Sequence, residues 1–276
     1  MRSLRLCEKP SFISEVVMPN LFQTECLTYH YPSQKFNVID SVSVEIESGS
    51  LTTIIGANGS GKSTFLKLLS GVIKNYSGKL FFKNSEFSSI NSAELAKSIA
   101  YVPQTQELLF SLTVEEMVAS GCAPYLDWWG TMSDHHKKTV DASLEICELK
   151  HLRKHPVSDL SGGEKQRVWI AKALAQQTEC IILDEPTAHL DIKHQLDLFR
   201  LLKSLQENEN KTIVIACHDL NLAANFGTHS IFFQCGNVLA SGKTEEVFKP
   251  DILEKGFLVP VNVENNVSHL TVSVKF

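Results

Sequence analysis

The sequence has no run of about 18 or more apolar residues, so no membrane-spanning helix is expected. Its N-terminus also lacks an apolar core long enough for a secretory signal, and we expect residues 1–20 to form a disordered extension. Basic residues are fewer than acidic ones, 26 against 31, and the net charge is −5. Proteins built to hold nucleic acid are usually basic, so no nucleic-acid partner is expected.

The cysteines lack the spacings of a disulfide framework or a zinc site. Seven occur, an odd number, and no two of them form a C-x-x-C pair. This pattern favours a reduced, cytosolic compartment. With 43% hydrophobic and 21% charged residues, the composition is that of an ordinary globular protein.

Short apolar runs alternate with amphipathic segments along most of the chain. Continuous apolar runs predict buried strands, a 3.6-residue period predicts helices, and alternation at Ile39–Glu47 predicts a half-exposed antiparallel strand. The predicted buried strands are Leu51–Ile55, Cys180–Leu183 and Ile213–Cys217, and the predicted helices include Gly61–Leu69, Ile192–Leu205 and Asp219–Asn225. Strands that alternate with helices in this way predict an α/β fold.

The stretch from about residue 109 to residue 177 has a helical pattern throughout, which predicts a second lobe. Thr113 and Glu116 have the spacing of a capping box ahead of one helix, as do Ser161 and Glu164 ahead of another. A further helix is predicted from Ser133 to about Leu149.

The C-terminal part carries β signals. Gly236-Asn237 between two apolar segments predicts a hairpin turn. Apolar residues at Phe257–Val261 and alternation at Leu270–Val274 predict a small β addition over residues 251–276, and packing at a sheet edge is its simplest role.

The segment Gly56-Ala-Asn-Gly-Ser-Gly-Lys-Ser63 matches the P-loop pattern G-x-x-x-x-G-K-[ST] and lies between a predicted strand and a predicted helix. Its backbone N–H groups and the helix N-terminus attract phosphate. We expect Lys62 to reach the β- and γ-phosphates, Ser63 to bind Mg²⁺ and Thr64 to touch the α-phosphate. The predicted nucleotide-binding residues of this loop are Asn58, Gly59, Ser60, Gly61, Lys62, Ser63 and Thr64.

Two carboxylates follow the predicted strand Cys180–Leu183 directly, where sites in parallel sheets form. Asp184 is expected to hold Mg²⁺, and Glu185 to orient and polarise the attacking water, because phosphoryl transfer depends on positioning and charge stabilisation. On local signal alone, a turn before Pro186 explains this pair equally well.

A third motif carries a family resemblance. Leu160-Ser-Gly-Gly-Glu-Lys-Gln-Arg167 resembles the signature sequence of ATP-binding-cassette ATPases and, as in that family, comes before the Asp184 strand. Glu164 stands where the commonest form has Gln, a frequent variation. Ser161, Gly162 and Gly163 open a helix with exposed N–H groups, so they can cap that helix and also face a γ-phosphate held by a second subunit.

Other elements of that family follow in order. Tyr101-Val-Pro-Gln104 resembles the Q-loop, which implies that Gln104 touches Mg²⁺ or the attacking water. Ala188-His-Leu-Asp191 resembles the D-loop, which implies that Asp191 lies at a dimer interface. His218 matches the switch histidine that contacts the γ-phosphate. Tyr31 matches the aromatic residue that stacks on adenine, with Tyr29 as the competing choice.

The resemblance covers roughly residues 21–250 and implies a P-loop NTPase core with an antiparallel β subdomain and an inserted helical subdomain, at about 108–177. It also implies a homodimer in the ATP-bound state, in which two ATP molecules with Mg²⁺ lie between the P-loop of one copy and the signature of the other. A monomer is then nearly inactive.

Softer similarities point to a narrower group. The segments Phe110–Gly121, Ala123–Leu126 and His218–Ala224 are similar to those of ATPases from iron–siderophore, haem and cobalamin importers. This resemblance implies an integral-membrane permease dimer as partner, a substrate-binding protein as an indirect one, and a peripheral place on the cytoplasmic face of the membrane. The ATPases of zinc and manganese importers are similar, and a soluble ATPase acting on DNA or ribosomes is the alternative from another class.

Two adjacent pairs invite a functional interpretation. Trp128-Trp129 fits either a surface that docks the permease or packing within the helical lobe. His135-His136 point to different faces of a helix, so a solvated helix face is expected rather than a metal site.

Overall fold

The computed structural model describes residues 19–104, 111–188, 190–266 and 269–275. Most of the predicted extension at 1–20, together with Phe110 and His189 of the quoted motifs, lies outside these residues. The predicted division at residues 20 and 250 remains a prediction.

Thirteen strands and nine α-helices occur in the described residues. The strands are β1 (Asn20–Tyr29), β2 (Ile39–Val42), β3 (Glu45–Glu47), β4 (Leu51–Gly56), β5 (Ser77–Phe82), β6 (Ser85–Glu86), β7 (Ile99–Val102), β8 (Cys180–Asp184), β9 (Thr212–Ala216), β10 (His229–Gln234), β11 (Asn237–Lys243), β12 (Val261–Asn266) and β13 (His269–Val274). The helices are α1 (Lys62–Leu69), α2 (Ser92–Ser98), α3 (Val114–Ala119), α4 (Asp134–Ile146), α5 (Gly162–Ala175), α6 (Ile192–Glu209), α7 (Leu220–Phe226), α8 (Thr244–Val247) and α9 (Pro250–Phe257).

A six-stranded sheet in the order β11-β10-β4-β9-β8-β7 positions the site. All its pairings are parallel except that of the edge strand β11 with β10. Every residue of β4, β8 and β9 is buried, because helices and the second sheet cover both faces. The three predicted buried strands and the α/β class are therefore confirmed.

The second sheet is antiparallel, with β1 paired to β2, β3 and β5. The single strand predicted at Ile39–Glu47 is wrong, since two strands occur there. The reason lies in β1, where the Thr24 hydroxyl accepts the N–H of Val44 at 2.9 Å, while Ser41 takes a left-handed φ of 52°. The regular pairing with β1 therefore stops at the end of β2 and resumes at β3, nearer the start of β1.

The inserted segment between β7 and β8 is helical, as predicted. Thr113 and Glu116 form a capping box at α3, and Ser161 and Glu164 form one at α5. Helix α4 ends at Ile146, three residues before the predicted end. Glu148 has a φ of 57°, which stops the helix there.

Two predicted β features near the C-terminus need correction. The hairpin between β10 and β11 is present, but its left-handed residues are Cys235 and Gly236, with φ values of 47° and 82°, so the turn lies one residue earlier than predicted. The predicted β addition corresponds to the hairpin of β12 and β13, but β12 begins only at Val261, because α9 occupies the chain up to Phe257. In the described ranges no helix is long and apolar enough to cross a bilayer.

Candidate functional site

The P-loop joins β4 to α1 and follows a path that only glycine can take. Gly56 has a φ of 146°, and a Cβ added there would lie 2.3 Å from the Phe233 carbonyl oxygen. Gly61 has a φ of 109°, and its Cβ would lie 2.7 Å from the Val38 carbonyl oxygen. Gly56 and Gly61 are thus required by backbone angle and by close packing against neighbouring backbone.

An open cleft of about 340 Å³ lies over this loop. It is lined by Val38, Asn58, Gly59, Ser60, Gly61, Lys62, Ser63, Thr64, Gln104, Glu185 and His218. All seven predicted loop residues, together with the three predicted catalytic residues, therefore share one cleft. The Ser60 hydroxyl oxygen is buried and has no hydrogen-bond partner in the described part of the chain, which leaves a donor for a ligand oxygen.

Lys62 is the buried cation of the loop, with 4% of its surface exposed. Its Nζ donates to the carbonyl oxygens of Gly56 at 2.9 Å and Ala57 at 3.1 Å. Burial lowers the pKa of Lys62, and the nearby carboxylates of Glu185 and Asp184 oppose that shift. An anionic ligand in the cleft offers this ammonium stronger acceptors than the two carbonyls.

Ser63, which lines the cleft, and the buried Asp184 beside it place two oxygens side by side. Ser63 Oγ donates to Asp184 Oδ1 at 2.8 Å, and the Tyr101 hydroxyl donates to Asp184 Oδ2 at 3.4 Å. Burial raises the pKa of Asp184, while the hydrogen bond from Ser63 acts in the opposite direction. Hydroxyl and carboxylate oxygens are ligands that Mg²⁺ prefers, so this pair fits the ion.

Glu185 lies between two donors. Gln104 Nε2 donates to its Oε2 at 2.6 Å, and His218 Nε2 lies 2.5 Å from its Oε1. Glu185 also takes a left-handed φ of 50°, which aims its side chain into the cleft rather than along the sheet. The sequence predicts that Gln104 touches Mg²⁺ or the attacking water. In the structure it contacts the carboxylate of Glu185, the residue predicted to orient that water.

Tyr31 reaches the edge of the same site. Its hydroxyl lies 3.3 Å from Thr64 Oγ1, and its ring meets that of Tyr29 edge-on, with centroids 5.0 Å apart. The contact with a P-loop residue places Tyr31 next to the cleft. Tyr29 packs behind it, and the pKa of Tyr29 is raised, chiefly by burial and then by Tyr31.

The signature residues do not line the cleft of their own chain, as far as the described residues show. Ser161 caps α5, and its hydroxyl and backbone N–H both donate to the Glu164 carboxylate, at 2.6 and 2.8 Å. These hydrogen bonds hold the pKa of Glu164 below its usual value. Gly162 and Gly163 form the first turn of the helix.

Asp191 caps α6. It accepts the backbone N–H of His194 at 2.9 Å and contacts the His194 ring nitrogen Nδ1 at 2.7 Å. Like the signature residues, it is outside the set of described residues that line the cleft.

Two residues of the site were missed by sequence reasoning. Tyr101 belongs to the predicted Q-loop segment, whose pattern assigns it no role, but its hydroxyl donates to Asp184. Val38 also lines the cleft. Its local sequence does not predict this, because its place depends on β2 of the antiparallel sheet, which begins at the next residue.

A phosphate-binding loop at the start of a helix, with two carboxylates at the end of a neighbouring parallel strand, defines a P-loop nucleotide-hydrolysing protein. The family described as "ABC transporter" matches residues 39–188, more than half of the chain. The chain belongs to this family, and it is an ATPase that binds and hydrolyses ATP.

Individual relatives agree with this assignment. The chain is 36% identical over 244 residues to the iron(3+)-hydroxamate import ATP-binding protein FhuC of Bacillus subtilis (strain 168), which covers 88% of this chain and 90% of that protein. A solved inward-facing conformation of a putative metal-chelate type ABC transporter is 25% identical, with a TM-score of 0.79 over 92% of this chain and 96% of that one. The dimeric structure of the bacterial ABC transporter cassette MJ0796 is 32% identical, with a TM-score of 0.72 over 81% and 98%.

Proposed function

We propose that this chain drives uptake of a metal chelate, such as an iron–siderophore complex, haem or cobalamin, through separate permease subunits. Its similarity to an iron(3+)-hydroxamate import protein over 88% of the chain supports the substrate class. That similarity is the single observation that carries the proposal. Among the described residues the signature does not line the cleft of its own chain, which supports a site that a second copy completes.

The predicted catalytic residues, Lys62 and Tyr31 each have a role in this proposal. Lys62 and the P-loop N–H groups bind the β- and γ-phosphates, and Tyr31 stacks on adenine. Glu185 accepts the proton of the attacking water, and Gln104 and His218 hold its two oxygens in place.

Ser63 and Asp184 hold Mg²⁺ in this account. The ion, when bound, neutralises charge on the phosphate oxygens. The adjacent hydroxyl and carboxylate oxygens, 2.8 Å apart, support the assignment. Because Asp184 is buried, its carboxylate keeps a fixed direction toward the phosphates.

The second half of the site comes from another copy of the chain. Ser161, Gly162 and Gly163 present backbone N–H groups at the start of α5, and Glu164 fixes the Ser161 side chain. An exposed helix N-terminus attracts the γ-phosphate of ATP held by the opposite copy. Asp191, at the start of α6, lies at the same interface in this account.

The membrane partner docks on the helical segment at Trp128 and Trp129, on the cytoplasmic face of the membrane. Their exposed fractions are 95% and 86%, so packing within the lobe does not account for them. The turn that carries them is held by Asp127 Oδ1, which accepts the N–H groups of Trp129 and Thr131 at 3.1 and 2.8 Å. A hydrogen-bonded turn with two exposed aromatic side chains fits a protein interface.

The experiment is purification of the tagged full chain from native membranes in mild detergent, with partners identified by mass spectrometry. We expect a polytopic membrane protein, whose reconstituted complex takes up a ferric siderophore, haem or cobalamin when ATP is added. Recovery of ribosomes or DNA-bound proteins without a membrane protein would contradict the proposal.

Substitution of both tryptophans by alanine tests the docking surface. Trp128→Ala/Trp129→Ala is expected to weaken permease binding by roughly 30- to 1,000-fold, since an interfacial tryptophan that acts as a hot spot contributes about 2 kcal/mol, or about 30-fold. ATP hydrolysis by the isolated chain should stay unchanged. The matched control is Leu258→Ala, which removes a similarly exposed apolar side chain near the C-terminus. Equal permease recovery from both variants would rule the tryptophan turn out.

A further inference from the structure

Helix α7, which follows His218, is held by an unusual contact with the C-terminal hairpin of β12 and β13. Asn221 Oδ1 accepts the backbone N–H of Val272 at 2.8 Å, and its Nδ2 donates to the Val272 carbonyl at 3.4 Å. Asn225 Oδ1 accepts the N–H of Leu270 at 2.9 Å, and its Nδ2 donates to the Leu270 carbonyl at 2.8 Å. Two side-chain amides thus bind the edge of β13 as a neighbouring strand does.

The spacing of the two elements makes this contact possible. Residues four apart on a helix lie on one face and are about 6 Å apart along its axis. Residues two apart on a strand point their backbone groups to the same edge and are about 6.6 Å apart. Asn221 and Asn225 therefore match Leu270 and Val272, with the helix running antiparallel to the strand. The exposed edge of a two-stranded hairpin is normally a site of unwanted strand pairing. Here the backbone groups of Leu270 and Val272 at that edge form hydrogen bonds within the chain.

The same helix determines where His218 points. Asp219 caps α7, because its Oδ1 accepts the N–H groups of Asn221 at 2.8 Å and Leu222 at 3.0 Å. On the other side, Cys217 donates its N–H to the Ile54 carbonyl in β4 at 3.0 Å. His218 lies between these two anchors, and its Nε2 is 2.5 Å from Glu185.

Helix α7 needs support from outside itself. It has only seven residues, fewer than two turns, and an isolated helix of that length is unstable. Leu222 and Ala223 are buried on its inner face, and the two amides hold its outer side.

We propose that the hairpin of β12 and β13 braces α7 and so positions His218 against Glu185, with Asn221 and Asn225 as the positioning residues. The inference rests on the role proposed above for His218. It gives the C-terminal hairpin a part in hydrolysis beyond packing at a sheet edge. No hairpin residue is among the described residues that line the cleft, and the two amides join the hairpin to α7, so we assign its effect to α7.

The test is steady-state ATP hydrolysis by the full chain with Asn221→Ala/Asn225→Ala. We expect kcat to fall roughly 10- to 100-fold, as for a small displacement of a catalytic group, with the affinity for ATP unchanged. Asn262→Ala is the matched control, because that half-buried asparagine of β12 contacts Glu264 of its own strand. The control should keep the wild-type kcat.

A His218→Ala background separates positioning from general destabilisation. There the two asparagine substitutions should change kcat by less than about twofold, because residues that act through one another are not additive. An equal loss of kcat in both backgrounds would contradict the proposal that the hairpin positions His218. If His218→Ala itself hydrolyses ATP at the wild-type rate, the role proposed for His218 is wrong. If only the asparagine variant keeps the wild-type kcat, the proposed brace is wrong and the role of His218 stands.

Hydrogen exchange gives a second measurement that does not depend on turnover. In the asparagine variant the backbone amides of residues 217–226 should exchange faster than in the wild type and in Asn262→Ala. If the double variant does not fold, Asn225→Ala alone removes the contact with Leu270 and a hydrogen bond to the Asn221 carbonyl, and it leaves the contact between Asn221 and Val272 in place. Unchanged exchange over this segment would contradict the inference.

Discussion

Glu185→Gln is expected to lower kcat for ATP hydrolysis by about 100- to 10,000-fold, the usual contribution of a general base. The amide keeps the size of the side chain, and its single oxygen keeps one of the two contacts with Gln104 and His218, but it does not accept the proton of the attacking water. ATP affinity should be nearly unchanged, because Lys62 and the P-loop hold the phosphates. Steady-state hydrolysis and equilibrium nucleotide binding measure the two effects separately.

The matched control for this variant is Glu145→Gln. Glu145 is an exposed glutamate of α4 that pairs with Lys150 at 3.0 Å, far from the cleft lining. Its variant should hydrolyse ATP at the wild-type rate. A rate for Glu185→Gln close to that of this control would contradict the assignment of Glu185 as the base.

Lys62→Ala is expected to weaken ATP binding by roughly 10- to 150-fold, which corresponds to the loss of charged hydrogen bonds of about 1.5–3 kcal/mol. The ammonium is buried at the base of the loop, where burial strengthens its attraction to phosphate. Fluorescence titration with a labelled nucleotide measures the change.

Lys79→Ala serves as the control for Lys62→Ala. Lys79 lies on β5 and forms an exposed ion pair with Glu25 at 3.6 Å, so its removal should leave nucleotide affinity unchanged. Similar affinities for the wild type and Lys62→Ala would mean that the ammonium does not contact the phosphates.

Much of the core follows from local sequence. The buried runs at β4, β8 and β9 are recognisable because both faces of a parallel sheet are covered, so no polar residue is needed in them. Capping boxes at Thr113 and Ser161 mark two helix starts, since their hydrogen bonds form within four residues. The P-loop can likewise be recognised from the sequence, because all the residues that form it are adjacent in the chain.

Features that depend on distant contacts could not be predicted. The break in the strand at Ile39–Glu47 follows from the hydroxyl of Thr24 on another strand. The contact of Tyr101 with Asp184 and the arrival of Val38 in the cleft depend on sheet order. The pairing of Asn221 with β13 joins residues 51 positions apart, and no local pattern reveals it.

One catalytic site is built from two copies of the chain in the function proposed above. The most direct test is the molar mass of the Glu185→Gln variant in solution, with and without saturating ATP, measured by light scattering after gel filtration. We expect a monomer without nucleotide and a mass twice as large with ATP and Mg²⁺. Adding Ser161→Arg should prevent the dimer without preventing ATP binding. A protein that binds ATP and yet keeps the monomer mass would contradict the shared site.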